Sequence, residues 1–199
     1  KLKGKFIEKK LAGTAQNIED LAIDASNNVY MAAGNIYKWD KSKNSFQIHI
    51  KKNGPFLRVS SGPTGTLWAI NDDGKLFELL GGKLLKRPGK GEFTANDVDI
   101  SINGEVYITS EVLTVTSTVR SGNGGGGNGG GGNGGGQPPV TTTQVLKCYL
   151  YKYNSDKSTI EHAFDANDIY AEIVSISREG SPWYTSPGCE NKNVYYGVK

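Results

Sequence analysis

Three features of the sequence predict an all-β fold. Apolar and polar residues alternate with period two in short runs bounded by Gly, Asn and Ser. No stretch carries a 3.6-residue apolar stripe over a dozen residues. The alternation recurs in four segments, and repeats of roughly 40 residues with several short strands each narrow the prediction to a small β-propeller. The expected architecture is four blades of four antiparallel strands in a single domain spanning 1–199.

The first segment is EDLAIDASNNVYMAAGNIYKWD and the second is PFLRVSSGPTGTLWAINDDGKLFEL. The third begins ANDVDISINGEVYITS and resumes as VLKCYLYKYN. The fourth is YAEIVSISREGSPWYTSPGCENKNVYYGVK. Each has an alternating strand, a Gly/Asn-type turn and a second strand with an aromatic residue, at Tyr30, Trp68, Tyr107 and Trp183. Third-strand aromatics fall at Tyr37, Phe77, Tyr151 and Tyr195. A fourth, outer strand is expected at 45–50, 82–87 and 158–164. The last repeat ends without one. The N-terminal stretch KGKFIEKKL (3–11) is expected to supply it by pairing with the blade of 169–199, which removes an open sheet edge.

The long gap between Tyr107 and Tyr151 holds SGNGGGGNGGGGNGGGQPP (121–139). The tract interrupts the third repeat between its second and third strands. Its flanks, EVLTVTSTVR and PVTTTQVL, are rich in Thr and Val, which favour strands. The expectation is an inserted hairpin arm over 111–146 with a glycine-rich tip over 121–137. On that reading Ser121, Asn123, Asn128, Asn133 and Gln137 belong to an assembly element. The plain alternative is a passive surface loop.

Composition removes some function classes. Net charge is only +3, and arginine occurs at Arg58, Arg87, Arg120 and Arg178 alone. Nucleic-acid binders normally carry an arginine-rich basic stripe, so no nucleic-acid partner is expected. No apolar stretch approaches the ~18–20 residues of a membrane helix. The two cysteines read either as unrelated thiols or as one Cys148–Cys189 bridge; the bridge is the expectation, and it goes with an extracellular or cell-surface location.

The second repeat resembles a tectonin repeat. Val59, Ser60, Gly62, Gly65, Trp68, Asn71, Gly74, Leu76 and Phe77 occupy that family's places: Val-Ser, a Gly-x-x-Gly turn, a Trp strand, Asn-x-x-Gly and an apolar–aromatic pair. The first repeat is a weaker match with Tyr30 for the tryptophan. The resemblance to tectonin-like and tachylectin-like propellers implies a lectin of defence or of cell surfaces.

Candidate ligand-binding residues stand at the blade entrances: Asn17 and Asp20, Asn96 and Asp97, Asn167 and Asp168. Such side chains hold vicinal hydroxyls by paired hydrogen bonds. They also shape turns by bonding their own backbone. Trp183 and Tyr184 are candidates for stacking on sugar rings, whereas Trp68 reads as packing between blades. NDDG (71–74) lacks the further ligands of a calcium loop and reads as a hairpin turn. His49 and His162 have no cysteine nearby, so neither a metal site nor a cofactor is expected. No Ser-His-Asp or Cys-His arrangement can be assigned, and on that ground no enzyme is expected. Two functions remain: a glycan-binding propeller, and a structural subunit that assembles with copies of itself through the arm.

Overall fold

The structure is a computed structural model. It describes residues 17–87, 93–118, 141–163, 173–177, 180–185 and 194–196, and for 111–118, 141–148 and 194–196 the backbone alone. The described residues are all-β, with no helix among them.

Among the described residues fifteen strands form four antiparallel sheets in chain order. The first sheet is β1 (Asp20–Ile23), β2 (Val29–Ala33), β3 (Asn35–Asp40) and β4 (Ser45–Ile50). The second is β5 (Phe56–Ser61), β6 (Leu67–Asn71), β7 (Leu76–Leu80) and β8 (Lys83–Lys86). The third is β9 (Thr94–Ile100), β10 (Val106–Thr118), β11 (Thr141–Asn154) and β12 (Thr159–His162). The fourth has three described strands, β13 (Ile173–Ile176), β14 (Pro182–Thr185) and β15 (Val194–Tyr196). Residues 3–11, expected as its outer strand, lie outside the described residues.

One turn recurs in every sheet. Asp24 N bonds Asn28 O, and Asn27 N bonds Asp24 O; the same pair of bonds joins Gly62 to Thr66, Ser101 to Glu105 and Ser177 to Ser181. The third loop residue takes a positive φ: 58° at Asn27, 79° at Gly65, 82° at Gly104 and 83° at Gly180. That left-handed position favours Asn and Gly, which fixes where the first hairpin of each repeat reverses. In the first sheet the Asp24 carboxylate reinforces the turn, accepting from Ser26 N (2.9 Å) and Asn28 N (2.8 Å). Ser101 Oγ does the same for Glu105 N at 3.0 Å.

Consecutive sheets pack face to face. Tyr30, Ala32, Ile36 and Ile50 of the first meet Phe56, Val59, Leu67, Ala69 and Phe77 of the second. Trp68 of the second is 1% exposed and sits edge-on to Tyr153 of the third, ring centroids 4.9 Å apart. Trp68 is therefore core, as its place in the repeat suggested. Tyr107 and Leu150 of the third meet Val174 and Tyr184 of the fourth. Gly74 marks the tightest approach between sheets: its carbonyl accepts from Ala95 N, and a Cβ there would stand 2.3 Å from Thr94 Cγ2.

The inner strands β1, β5, β9 and β13 pack in series, each against the next. Among the described residues β13 does not pack on β1 in the same way.

β10 and β11 are much longer than the other strands. Their pairing runs from Tyr107↔Lys152 out to Thr118↔Thr141. β9 accompanies β10 only as far as Glu111↔Thr94, and β12 joins β11 only from Tyr151↔His162. The Thr/Val-rich flanks thus form a two-stranded ribbon beyond their sheet. The glycine-rich tip, with Ser121, Asn123, Asn128, Asn133 and Gln137, lies outside the described residues.

Candidate functional site

The first strands of the four sheets surround a polar funnel of about 490 Å³. Because the strands share one register relative to the recurring turn, their inward residues form layers. Asp20, Arg58, Asp97 and Ile173 stand four residues ahead of Asp24, Gly62, Ser101 and Ser177. Ala22, Ser60, Asp99 and Ser175 form the next layer.

Inner strands of neighbouring sheets splay apart and do not hydrogen-bond edge to edge, so their backbone N–H groups need other partners. Carboxylates of the adjacent sheet supply them. Asp20 Oδ2 accepts from Val59 N at 2.9 Å. Asp97 Oδ2 accepts from Val174 N at 3.0 Å, the same contact two repeats on. Asp99 Oδ2 accepts from Ile176 N at 2.7 Å, and its Oδ1 from Ser60 Oγ at 2.8 Å and Ile100 N at 2.9 Å. The second sheet carries Arg58 where the first and third carry Asp; its Nε lies 3.6 Å from Asp97 Oδ1. Asp20 and Asp97 each tie two sheets together by these bonds, and Asp99 ties three.

Burial dominates the electrostatics. It pushes the Asp97 carboxyl up to about 6, against the Val174 N–H bond and the Arg58 charge, which pull the other way. Burial also raises Asp20, opposed by its bonds from Val59 N and Leu21 N. The rise from 3.8 to about 6 corresponds to about 3 kcal/mol of preference for the neutral form of Asp97. A carboxylate held at that cost gains from any ligand that brings hydrogen-bond donors.

The sequence-predicted residues divide. Asp20 and Asp97 meet in the funnel. Asn17 is exposed just ahead of β1. Asn96 lines a smaller neighbouring cavity, where its Nδ2 is buried with no hydrogen-bond partner. Trp183 is 45% exposed, on the face of β14 opposite Tyr184. Tyr184 is core, packed on Tyr107, Leu150 and Val174, so the expectation that it stacks on a ligand is corrected. Asn167 and Asp168 lie outside the described residues. So does Cys189, and with it the Cys148–Cys189 bridge; Cys148 falls in β11 opposite Glu111. Arg58, Ser60, Asp99 and Ser175 were missed. Their signal was their place on an inner strand one repeat apart, visible only when the four first strands are aligned on their turns.

Among the described residues no group of three His, Cys, Asp or Glu side chains is arranged to hold a metal ion. No described helix is long and apolar enough to cross a membrane.

Radial antiparallel sheets whose first strands converge on an axial funnel define a β-propeller. No family model and no curated relative matches the chain. Solved structures do. A putative gluconolactonase is 12% identical with a TM-score of 0.55, over 92% of this chain and 63% of its own. Virginiamycin B lyase from Staphylococcus aureus is 13% identical with a TM-score of 0.51, over 100% of this chain and 75% of its own. TolB from Acinetobacter baumannii is 12% identical with a TM-score of 0.56, over 91% of this chain and 41% of its own. This chain therefore spans between two-fifths and three-quarters of their lengths. The likeness carries the propeller fold and nothing specific to tectonin repeats.

It also corrects the expectation against an enzyme. Two of these structures bear the names of enzymes. A missing local motif is weak ground for that exclusion on this fold, because an axial site gathers residues from separate repeats, as Asp20, Arg58 and Asp97 show here.

Proposed function

We propose that this chain is a carbohydrate-binding propeller that takes a polyhydroxylated ligand at the axial funnel. The observation that carries the reading is the convergence of Asp20, Arg58, Asp97 and Asp99 from three different sheets on one open polar funnel. The carboxylates accept from adjacent hydroxyls, and the Arg58 guanidinium donates to ring or exocyclic oxygens. The buried charge of Asp97 is the group with most to gain from a hydroxyl donor. Titration with simple sugars and a glycan array tests the reading, with product followed by NMR so that turnover is seen alongside binding. Millimolar or tighter binding that falls about tenfold in Arg58→Gln supports it. No binding to any glycan at millimolar concentration overturns it. An extracellular setting and a Cys148–Cys189 bridge accompany this reading, and thiol titration with and without reductant tests the bridge.

The proposed ring has four blades, with 3–11 as the outer strand of the last. The described fourth sheet has three strands where the others have four. The links from an outer strand to the next inner strand run over 51–55, 87–93 and 163–172. The stretch 12–19 falls in the same range. Removing residues 1–12 is expected to raise hydrogen exchange at 194–196; unchanged exchange there rules the closure out.

A second reading rests on the ribbon that extends β10 and β11 beyond their sheet. On it the chain is a subunit of an extracellular assembly joined through the arm. Deleting 121–137 leaves the blades folded and removes assembly; a deletion variant that assembles as before returns the tract to a passive loop.

A further inference from the structure

The ribbon differs from the other sheet margins among the described residues. From Val112↔Lys147 to Thr118↔Thr141 it is two strands wide, and neither outer edge has a partner strand among the described residues. At ~3.4 Å per residue it reaches about 20–25 Å beyond its sheet. Each edge presents a row of backbone N–H and C=O groups, the template on which another strand adds.

Proteins protect such rows with charge, proline, brevity or cover. The outer strands of the blades are protected. β4 is flanked by Lys41, Lys43, Lys51 and Lys52. β8 is Lys-Leu-Leu-Lys followed by Arg87, and it is four residues long. β12 is also four residues long and contains Glu161 and His162. The ribbon's strands are longer, and their flanking charges and prolines are Glu111 at the base and Arg120, Pro138 and Pro139 past the other end. Residues 112–118 read VLTVTST, without charge or proline. Residues 141–147 read TTTQVLK, with Lys147 alone charged and at the base.

We propose that the β10 edge of the ribbon, residues 112–118, pairs antiparallel with the same edge of a second copy about a two-fold axis. This rests on the assembly reading above and specifies its contact. The partner is a second copy for three reasons. A two-stranded ribbon is marginal in water and gains independent stability as part of a four-stranded sheet. A two-fold antiparallel pairing sets a strand against its own sequence, which here brings Thr and Val opposite Thr and Val with no like charges. The β10 edge is chosen over the β11 edge because the latter carries Lys147.

The experiment is sedimentation velocity of the full chain at ~1–100 µM, with four variants. The natural chain is expected to show concentration-dependent dimers. Val115→Lys/Ser117→Lys places four like charges around the axis and is expected to weaken dimerisation at least about tenfold, more at low salt. Mixing it with Val115→Glu/Ser117→Glu is expected to restore a dimer of the two variants, which a folding defect would not do. Thr143→Lys, on the other edge, is expected to dimerise as the natural chain does. A natural chain that is monomeric throughout overturns both this contact and the assembly reading. Assembly that survives the paired lysines but is lost on replacing 112–147 by an Asn-Gly turn overturns the contact and leaves the assembly reading standing. Loss in Thr143→Lys alone overturns the choice of edge.

Discussion

The axial strands and the β10–β11 ribbon meet the same difficulty in opposite ways. Both have strand edges whose backbone N–H groups find no strand alongside among the described residues. On the axis the neighbouring sheet supplies carboxylates: Asp20 serves Val59 N, Asp97 serves Val174 N, and Asp99 serves Ile176 N. On the ribbon no described group does so. Side chains that satisfy a backbone edge inside the molecule seal it against strand addition and build a polar site in the same stroke. An edge left to uncharged Thr and Val keeps its hydrogen-bonding capacity for something outside.

The comparison breaks most visibly at Asp99. It holds Ser60 Oγ, Ile100 N and Ile176 N together, so Asp99→Ala is expected to lower unfolding free energy by about 2–3 kcal/mol, read from chemical denaturation. A loss under ~0.5 kcal/mol shows that water replaces the staple and that the axis is no better sealed than the ribbon.

Asp97 gives the next largest effect, with the opposite sign. Its carboxyl is raised from 3.8 to about 6 in the folded chain, so the folded state holds the proton more tightly than the unfolded state. The neutral form is thus favoured by folding. Stability from this group rises as pH falls from above 6 toward 4, and is lost as pH rises through 6. Asp97→Asn keeps an oxygen for Val174 N and removes the buried charge. It is expected to stabilise the chain by about 1–3 kcal/mol at pH 8 and to flatten stability between pH 4 and 6, while weakening sugar binding. Denaturation series across that pH range check it; an Asn variant less stable than the natural chain at pH 8 sinks the account. Asp24 runs the other way. Burial pushes its carboxyl up, but bonds from Asn28, Ser26 and Tyr30 outweigh burial and hold it below 3.8. Its stabilisation is lost only as pH falls below that value.

The smallest effect belongs to the ribbon. Replacing 112–147 by an Asn-Gly turn between Glu111 and Cys148 keeps β9 and β12 and the parts of β10 and β11 that pair with them. Unfolding free energy is expected to change by less than ~0.5 kcal/mol at concentrations where the chain is monomeric. A large loss shows that the ribbon is part of the blade stack.

Much of the frame was legible. The outer strand expected at 45–50 is β4, Ser45–Ile50, because SFQIHI alternates between turn residues. Trp68 reads as core because its strand is apolar on both faces. The candidate site was half legible: Asp20 and Asp97 stood out as polar residues at the starts of strands, and so did Asn17, which is merely exposed. Tyr184 was misread because its neighbour Trp183 is exposed; alternation sends adjacent strand residues to opposite faces, and sequence does not say which face meets the third sheet.

The sequence by itself determined the local structure of this chain: period-two strands, and a hairpin turn whose third residue is Asn or Gly because only they take a positive φ without strain. Those are short-range properties of the backbone and of neighbouring side chains. The tertiary structure alone decided the meaning of Arg58, Ser60 and Asp99. Each is a polar residue on its own strand, and its partner lies in the neighbouring repeat. Only the packing of separate sheets brings the Asp99 carboxylate to the Ile176 N–H of one neighbour and the Ser60 hydroxyl of the other.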